Sequence, residues 1–331
     1  MSSGPLISIV LPAKDQAPFI DDALVSLRQQ FQDPTALQVI VVDDGSSDGT
    51  GELAAAHARF LPHLSVLRNE TPTGLASARN QGLAHATADV LGFMDGDDWL
   101  ARGHLQQCLS ELRRLDVDFV RTDHVQVKGG HRVLVRAPQA RRSVVLDPRE
   151  SILPEHTSTM VDYPFAWAGL FQRRLVDRGL LEFPPGLFTA EDRPWIWRLF
   201  LQATSYAMIE APGIMYRRGV STSLTQIYDE RQLDFARSYL MAFEVLEADP
   251  EAGRFWPKMA RQFLAVAAHH RTRREGMDAT VKERQTALIR SVLERIPRAV
   301  LAAEFKRLDH RRRALLGPVL PNGVRKGKVA A

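Results

Sequence analysis

Two uncharged runs, Ile7-Ser8-Ile9-Val10-Leu11 and Leu37-Gln38-Val39-Ile40-Val41-Val42, constrain this chain more than any other feature. Both are dominated by β-branched and apolar residues at successive positions, the pattern of a strand covered on both faces. Between them Phe19, Ile20, Ala23, Leu24, Leu27 and Phe31 recur at helical spacing, so the first forty residues read as a β-α-β unit. The alternation continues. Asp48-Gly49-Thr50 opens a helix through Leu53 and Ala56, Leu64–Leu67 is a short strand, and a helix over Leu75–His85 leads to the run Val90-Leu91-Gly92-Phe93-Met94. Strands alternating with helices predict an α/β fold with a mostly parallel, Rossmann-like, doubly wound sheet. Ligands bind such sheets outside the carboxyl ends of the strands. Here those ends carry Asp15, Asp43 with Asp44, Arg68 with Asn69, and Asp95-Gly96-Asp97-Asp98, so the polar signals converge on one edge.

The rest of the chain is organised differently. Phe119–Asp123, Gln126-Val127 and Arg132–Val135, separated by Gly129-Gly130, read as a hairpin forming a smaller antiparallel extension. After Tyr216, helical periodicity recurs in Leu233–Leu246, Phe255–His270, Lys282–Arg295 and Ala299–Leu308. The expected division is therefore residues 1–224 and a helical C-terminal module over 225–331, with Gly317 onward as a tail. A chain of 331 residues with 45% apolar composition supplies a real core. Its single cysteine, Cys108, excludes an internal disulfide and a cysteine-based zinc site. The run Leu6–Leu11 is too short for a signal h-region and no apolar stretch reaches membrane-spanning length, so a cytoplasmic protein is expected. Net charge is only +4, yet Arg271, Arg273, Arg274, Arg311, Arg312, Arg313, Arg325, Lys326 and Lys328 gather late. Such runs suit a solvated helix face, or an anionic partner or membrane surface.

Carboxylates packed as tightly as Asp95, Asp97 and Asp98 repel one another, and an oxygen-rich cluster of this kind suits Mg²⁺ or Mn²⁺. The same residues also fit a polar turn in which Asp98 caps a following helix through Leu105. Glu191-Asp192 has two readings as well, as a reactive acidic pair or as charges favoured by the dipole of the helix Trp195–Leu201. Trp167, Trp195 and Trp197 fit either a sugar-stacking platform or the core.

Val41-Val42-Asp43-Asp44-Gly45-Ser46-Ser47-Asp48 resembles the nucleotide-sugar-binding turn of family 2 glycosyltransferases, the inverting enzymes of GT-A fold. The resemblance extends, in order, over Ile9–Asp15, Gly74-Leu75-Ala76-Ser77-Ala78-Arg79-Asn80, Asp95–Asp98 and Thr189-Ala190-Glu191-Asp192, covering about residues 5 to 225. It implies a metal-dependent transferase with a UDP-sugar donor. Asp44 would accept the imide N–H of uracil, with Pro12, Ala13 and Asp15 lining the base pocket and Asn69 beside them. Arg79 would reach the uracil edge or the diphosphate. Asp95 would serve the ribose and the metal-bound diphosphate, and Asp97 would coordinate Mn²⁺ or Mg²⁺ directly. Asp192 would be the general base and Glu191 would orient a sugar. Arg217, Arg218 and Ser221 fall where family members carry a loop over the diphosphate. That loop often holds a metal-ligating His, and this chain has none between Tyr216 and Leu224.

Phe183–Phe188 ahead of the acidic pair, with a helical extension after it, resembles bacterial wall teichoic acid glycosyltransferases. That likeness implies a teichoic-acid-like polymer, or another anionic glycopolymer or lipid-linked intermediate, as acceptor, with peripheral membrane contact. Apolar stripes on the late helices would suit a homo-oligomer. Two other functions use parts of the same pattern. A nucleotidyltransferase also carries acidic residues at a sheet edge, but needs a Gly-rich basic loop after the first strand. A noncatalytic glycan- or nucleic-acid-binding protein would use the basic end, where few aromatics are interleaved, so no nucleic acid is expected.

Overall fold

The structure, a computed structural model, describes residues 4–219 and 229–321. Strands β1 (Ile7–Ala13), β2 (Leu37–Asp43), β3 (His63–Arg68) and β4 (Val90–Phe93) form a parallel block in the order β3-β2-β1-β4. β1 is buried at every position, as its unbroken apolar run requires. It reaches two residues beyond the Leu11 expected from sequence, because Pro12 and Ala13 pair with Val42 and Asp43 after β4 has ended opposite Val10. Helices α1 (Ile20–Leu27), α2 (Thr50–Ala55) and α3 (Leu75–His85) follow β1, β2 and β3.

α3 packs very close to the sheet. A Cβ at Gly82 would lie 2.4 Å from Val10 Cγ1 and 3.2 Å from Val42 Cγ2, both on stiff β-branched side chains. Gly82→Ala is expected to destabilise the protein by about 1–2 kcal/mol in urea unfolding, because overpacking outweighs the helix-propensity gain. A variant as stable as the wild type would contradict that packing.

Past β4 the sheet becomes mixed. β5 (Trp99–Leu100) and α4 (His104–Leu115) follow the acidic turn, and Gly103 is the N-cap of α4. Asp98 therefore does not cap a helix. The expected hairpin exists as β6 (Phe119–Lys128) and β7 (His131–Val135), but β6 is a long central strand of the main sheet and only β7 is an extension. β8 (Gly169–Gln172) pairs antiparallel with β4 and β6, while β9 (Tyr206–Arg217) runs parallel to β6. β5 closes the order by pairing with β9, which brings the Arg217 end of β9 to the acidic turn. α5 (Arg174–Asp177) and α6 (Asp192–Gln202) lie between β8 and β9.

The late periodicity becomes α7 (Asp234–Glu247), α8 (Ala252–Thr272), α9 (Ala279–Arg295) and α10 (Arg298–Arg307), with an unanticipated α11 (His310–Leu316). One contiguous apolar cluster runs from Ile7 in β1 through α6 and α7 to Leu320, so the late helices share the core of the sheet. The expected boundary at 224/225 lies outside the described residues. Trp195 and Trp197 are fully buried in that core, Trp195 stacked on Phe183 and Trp197 donating to Gln262 Oε1 at 2.8 Å. Trp167 is stacked on Phe165 and nearly buried, so these three indoles pack rather than present an open platform. No described helix is long and apolar enough to cross a membrane.

Candidate active site

The carboxyl ends of β1 and β2 build a network of carboxylates locked by backbone donors. Asp44 is buried, and its Oδ1 accepts from Asn69 Nδ2, Thr73 N and Thr73 Oγ1, all at 2.8 Å. Its Oδ2 accepts from Gly74 N at 2.8 Å, which leaves one side of that oxygen for a further donor. Burial pushes the Asp44 carboxyl up, but these four donors outweigh it and hold it below the usual carboxylate range. Asn69 is thus a support for Asp44. Asp15, at φ +50°, accepts from Ser47 N and Lys14 Nζ, and Pro12 and Ala13 lie buried beside it at the end of β1.

Arg79, one turn into α3, is 4% exposed and forks between two acidic groups. Its Nη1 donates to Glu191 Oε1 at 2.8 Å and its Nη2 to Asp95 Oδ1 at 2.9 Å. Asn80, the next residue, holds Phe183 by both backbone groups at 2.8 Å. Together they fasten the loop carrying the acidic pair to the carboxyl end of the sheet. Sequence reasoning gave Arg79 a nucleotide contact; in the structure both of its Nη atoms are engaged by protein carboxylates.

The acidic turn is less satisfied. Asp98 is fully buried, with Oδ1 accepting from Arg217 N at 2.7 Å and Oδ2 without a partner. Burial, then the charges of Asp97 and Asp95, push its carboxyl well up. Asp97 is pushed to about 6 by burial first and by Asp95 second. Asp95 Oδ2 and the Asp97 carboxyl receive no donor from another described residue, so their oxygens are available to a hard cation. No described group of three or more His, Cys, Asp or Glu forms a complete cage. Two carboxylates completed by phosphate oxygens and water is the arrangement Mg²⁺ and Mn²⁺ take in substrate-assisted sites, so the residues fit such an ion.

Arg217 braces this turn. Its Nε donates to Asp97 O at 2.8 Å, its Nη2 to Asp22 at 3.0 Å, and its guanidinium lies over the rings of Phe19 and Trp99. Arg218 is exposed and donates to Tyr216 Oη. Ser221 lies outside the described residues.

Glu191 is the N-cap residue of α6 and Asp192 lies in its first turn, where the helix dipole favours both charges, and Glu191 makes no side-chain capping hydrogen bond. Burial is the first cause raising both carboxyls; for Glu191 the Arg79 charge opposes it, and for Asp192 the Arg193 charge does. Asp192 keeps 28% of its side chain exposed, with Arg193 Nε 3.7 Å from Oδ1. It is the accessible member of the pair, while Glu191 is shut in by Arg79.

A clasp from the late helices, unmarked by any sequence motif, holds this pair. Ala190 sits at φ +62°, a strained conformation for a residue with a Cβ. Its carbonyl accepts from the buried Ser238 Oγ of α7 at 2.6 Å. Phe188 N donates to buried Asp234 Oδ2 at 2.7 Å, and Thr189 Oγ1 to Arg231 O at 2.9 Å. If Asp192 is the base and UDP the leaving group that the resemblance implies, Ser238→Ala is expected to lower kcat about tenfold by loosening Asp192, with UDP affinity unchanged in titration calorimetry. A fall in UDP affinity with kcat intact would contradict this role.

The family model for glycosyl transferase family 2 matches residues 8–177, just over half of the chain and including every strand-end motif up to β8. The chain belongs to glycosyl transferase family 2. Among curated relatives, this family 2 chain is 30% identical over 226 residues to the uncharacterized glycosyltransferase EpsJ of Bacillus subtilis, covering 67% of this chain and 64% of EpsJ. It is 25% identical over 250 residues to the poly(ribitol-phosphate) beta-N-acetylglucosaminyltransferase TarS of Staphylococcus aureus, covering 74% of this chain and 41% of TarS. The chain thus spans less than two thirds of the length of these relatives. The fold is that of GT-A structures. A crystal structure of TarS residues 1–349 in complex with UDP-GlcNAc matches with TM-score 0.75 at 21% identity, over 93% of this chain and 87% of that one. The mannosyltransferase PcManGT of Pyrobaculum calidifontis, in complex with GDP-Man and Mn²⁺, matches with TM-score 0.51 at 20% identity, over 96% of this chain and 80% of that one.

Proposed function

We propose that this chain is a metal-dependent inverting glycosyltransferase. It moves a sugar from a UDP-sugar to a hydroxyl of an anionic cell-surface glycopolymer, such as a teichoic-acid-like chain, or of a lipid-linked acceptor. The observation that carries the reading is the Arg79 fork, which ties Asp95 to the acidic pair at one sheet edge. A nucleotidyltransferase or a passive binder has no need of an accessible carboxylate held opposite a diphosphate site. The UDP-GlcNAc bound in TarS and the Mn²⁺ bound in PcManGT support the donor class and the cation.

In this reading Asp44, with Pro12, Ala13 and Asp15, seats the uracil end of the donor. Asp97 and Asp95 would hold the divalent ion, which would supply charge neutralisation to the diphosphate as the leaving oxygen departs. The acceptor oxygen attacks the anomeric carbon from the face opposite the diphosphate. A new C–O bond forms as the bond to the β-phosphate oxygen breaks, and UDP departs with the electron pair. Asp192 Oδ takes the acceptor proton. Residues 1–224 form the catalytic part, and the helices from 225 onward hold the base loop through Ser238 and Asp234.

The test is UDP release from a panel of UDP-sugars with and without Mn²⁺. The wild type is expected to release UDP from a small subset in a cation-dependent manner, and Asp97→Ala to lose about a hundredfold. No release from any UDP-sugar, or equal release in chelator, overturns the proposal.

A further inference from the structure

A cavity of about 340 Å³ is lined by Arg193, the residue after Asp192, and walled by α8, the 156–158 segment and the α10–α11 corner. Four cations line it, Arg193, Lys258, Arg261 and Arg312, against one carboxylate, Asp162. That carboxylate is already engaged. Its Oδ2 accepts from Lys258 Nζ at 2.5 Å and Thr159 N at 2.8 Å, and its Oδ1 from Gln262 Nε2 at 2.9 Å. Lys258, 2% exposed, also donates to Thr157 O, so Asp162 and Lys258 form a neutral, rigid floor.

Arg261 is then a surplus positive charge, and Arg193 and Arg312 add guanidinium groups whose carboxylate partners, Asp192 and Asp309, are not among the lining residues. Arg261 makes no hydrogen bond or ion pair among the described residues. Arg193 Nε lies 3.7 Å from Asp192 Oδ1, and the charges of Asp162 and Glu191 also act on it; Arg312 Nε lies 3.5 Å from Asp309 Oδ2. Like charges facing one enclosed space repel, and guanidinium forks match the oxygens of a phosphate in geometry and charge. Arg193 touches both places at once: it lines the cavity and faces the candidate base.

We propose that this cavity binds a phosphate group of the acceptor. Arg261 and Arg193 ligate it so that the hydroxyl next to that phosphate is presented to Asp192. The proposal rests on the glycosyl transfer argued above and adds where, and by which chemistry, an anionic acceptor is held. It also makes the acceptor's charge, rather than its sugar or polyol hydroxyls, the main determinant of binding.

The experiment is titration calorimetry of the full chain with synthetic tri(glycerol phosphate), with neutral triglycerol, with inorganic phosphate, and separately with UDP plus Mn²⁺. The trimer is expected to bind, triglycerol not to, and inorganic phosphate to bind about tenfold more weakly than the trimer. Arg261→Glu should weaken the trimer about tenfold or more while melting temperature and UDP affinity hold. Arg193→Ala should weaken it as well. Equal trimer affinity in the wild type and Arg261→Glu, or no trimer binding by a wild type that binds UDP, overturns the inference and leaves glycosyl transfer standing. Inorganic phosphate binding as tightly as the trimer makes the cavity a free-anion site and overturns the acceptor assignment. Failure of UDP to bind, with the trimer bound and still weakened by Arg261→Glu, overturns the glycosyl-transfer reading and supports the anion site.

Discussion

Asp192→Asn will lower sugar transfer about a thousandfold while UDP affinity stays within about twofold, because the substitution removes a proton acceptor and little else. The side chain keeps its size, and its carboxylate is not needed as a helix cap. Asp192 is also the partly open member of the acidic pair, so an acceptor hydroxyl can reach it. Initial-rate kinetics paired with UDP calorimetry separate the two effects. Retention of most of the activity would place the base elsewhere. The pH profile gives the same test a second arm. Burial, only partly offset by Arg193, raises the Asp192 carboxyl, so the base form is lost as pH falls through a value above the ordinary aspartate range. The acid limb of kcat/KM should lie above that range in the wild type, and the residual rate of Asp192→Asn should lack it.

Arg79→Ala is expected to cost about 3 kcal/mol of stability, read as a lowered urea midpoint at neutral pH. The guanidinium is nearly buried and joins a buried glutamate to a partly exposed aspartate. Its removal strands Glu191 without a counter-charge. The cost stays at the low end for a broken buried pair because Glu191, already raised by burial, can take up a proton and Asp95 retains contact with water. Arg79→Lys should recover only part of the loss, since one ammonium cannot fork to both carboxylates. A change below about 1 kcal/mol would mean that the fork does not hold the two halves of the site together.

The strands that place the site were legible because β1 and β2 are buried on both faces, and a continuous apolar run has no other economical home in a chain of this size. The helix α3 was legible from its ends and length rather than from amphipathicity. Its buried positions are Ala76, Ala78, Arg79, Gly82 and Leu83, of which only Leu83 is a large apolar residue. The same weak patterning concealed what Arg79 does: a charged residue near a nucleotide motif suggests a ligand contact, and only the folded chain shows Glu191 returning from 112 residues away to meet it. Asn69 and Arg217 were likewise placed at the correct edge but given substrate partners, whereas they bond Asp44 and the acidic turn. Local sequence locates polar side chains at strand ends; it does not say which of them satisfy one another. Ser238 and Asp234 were invisible for a similar reason. On α7 they read as an ordinary helical serine and aspartate, and their role depends on Ala190, which adopts a backbone conformation that no alanine advertises. Of the cations around the cavity only Arg312 belongs to the late basic run; Arg193, Lys258 and Arg261 join it through tertiary packing that local sequence does not reveal.

In the proposed reaction Asp97 and Asp95 would hold a divalent cation at the sheet edge, where it would neutralise the diphosphate of the donor. A crystal of the full chain grown with UDP and Mn²⁺, with anomalous scattering recorded at the manganese edge, tests it most directly. A single anomalous peak in contact with Asp97 and both phosphates, with the uracil against Asp44, is expected. Bound UDP with no manganese at Asp97, or manganese at a site remote from this turn, would contradict it.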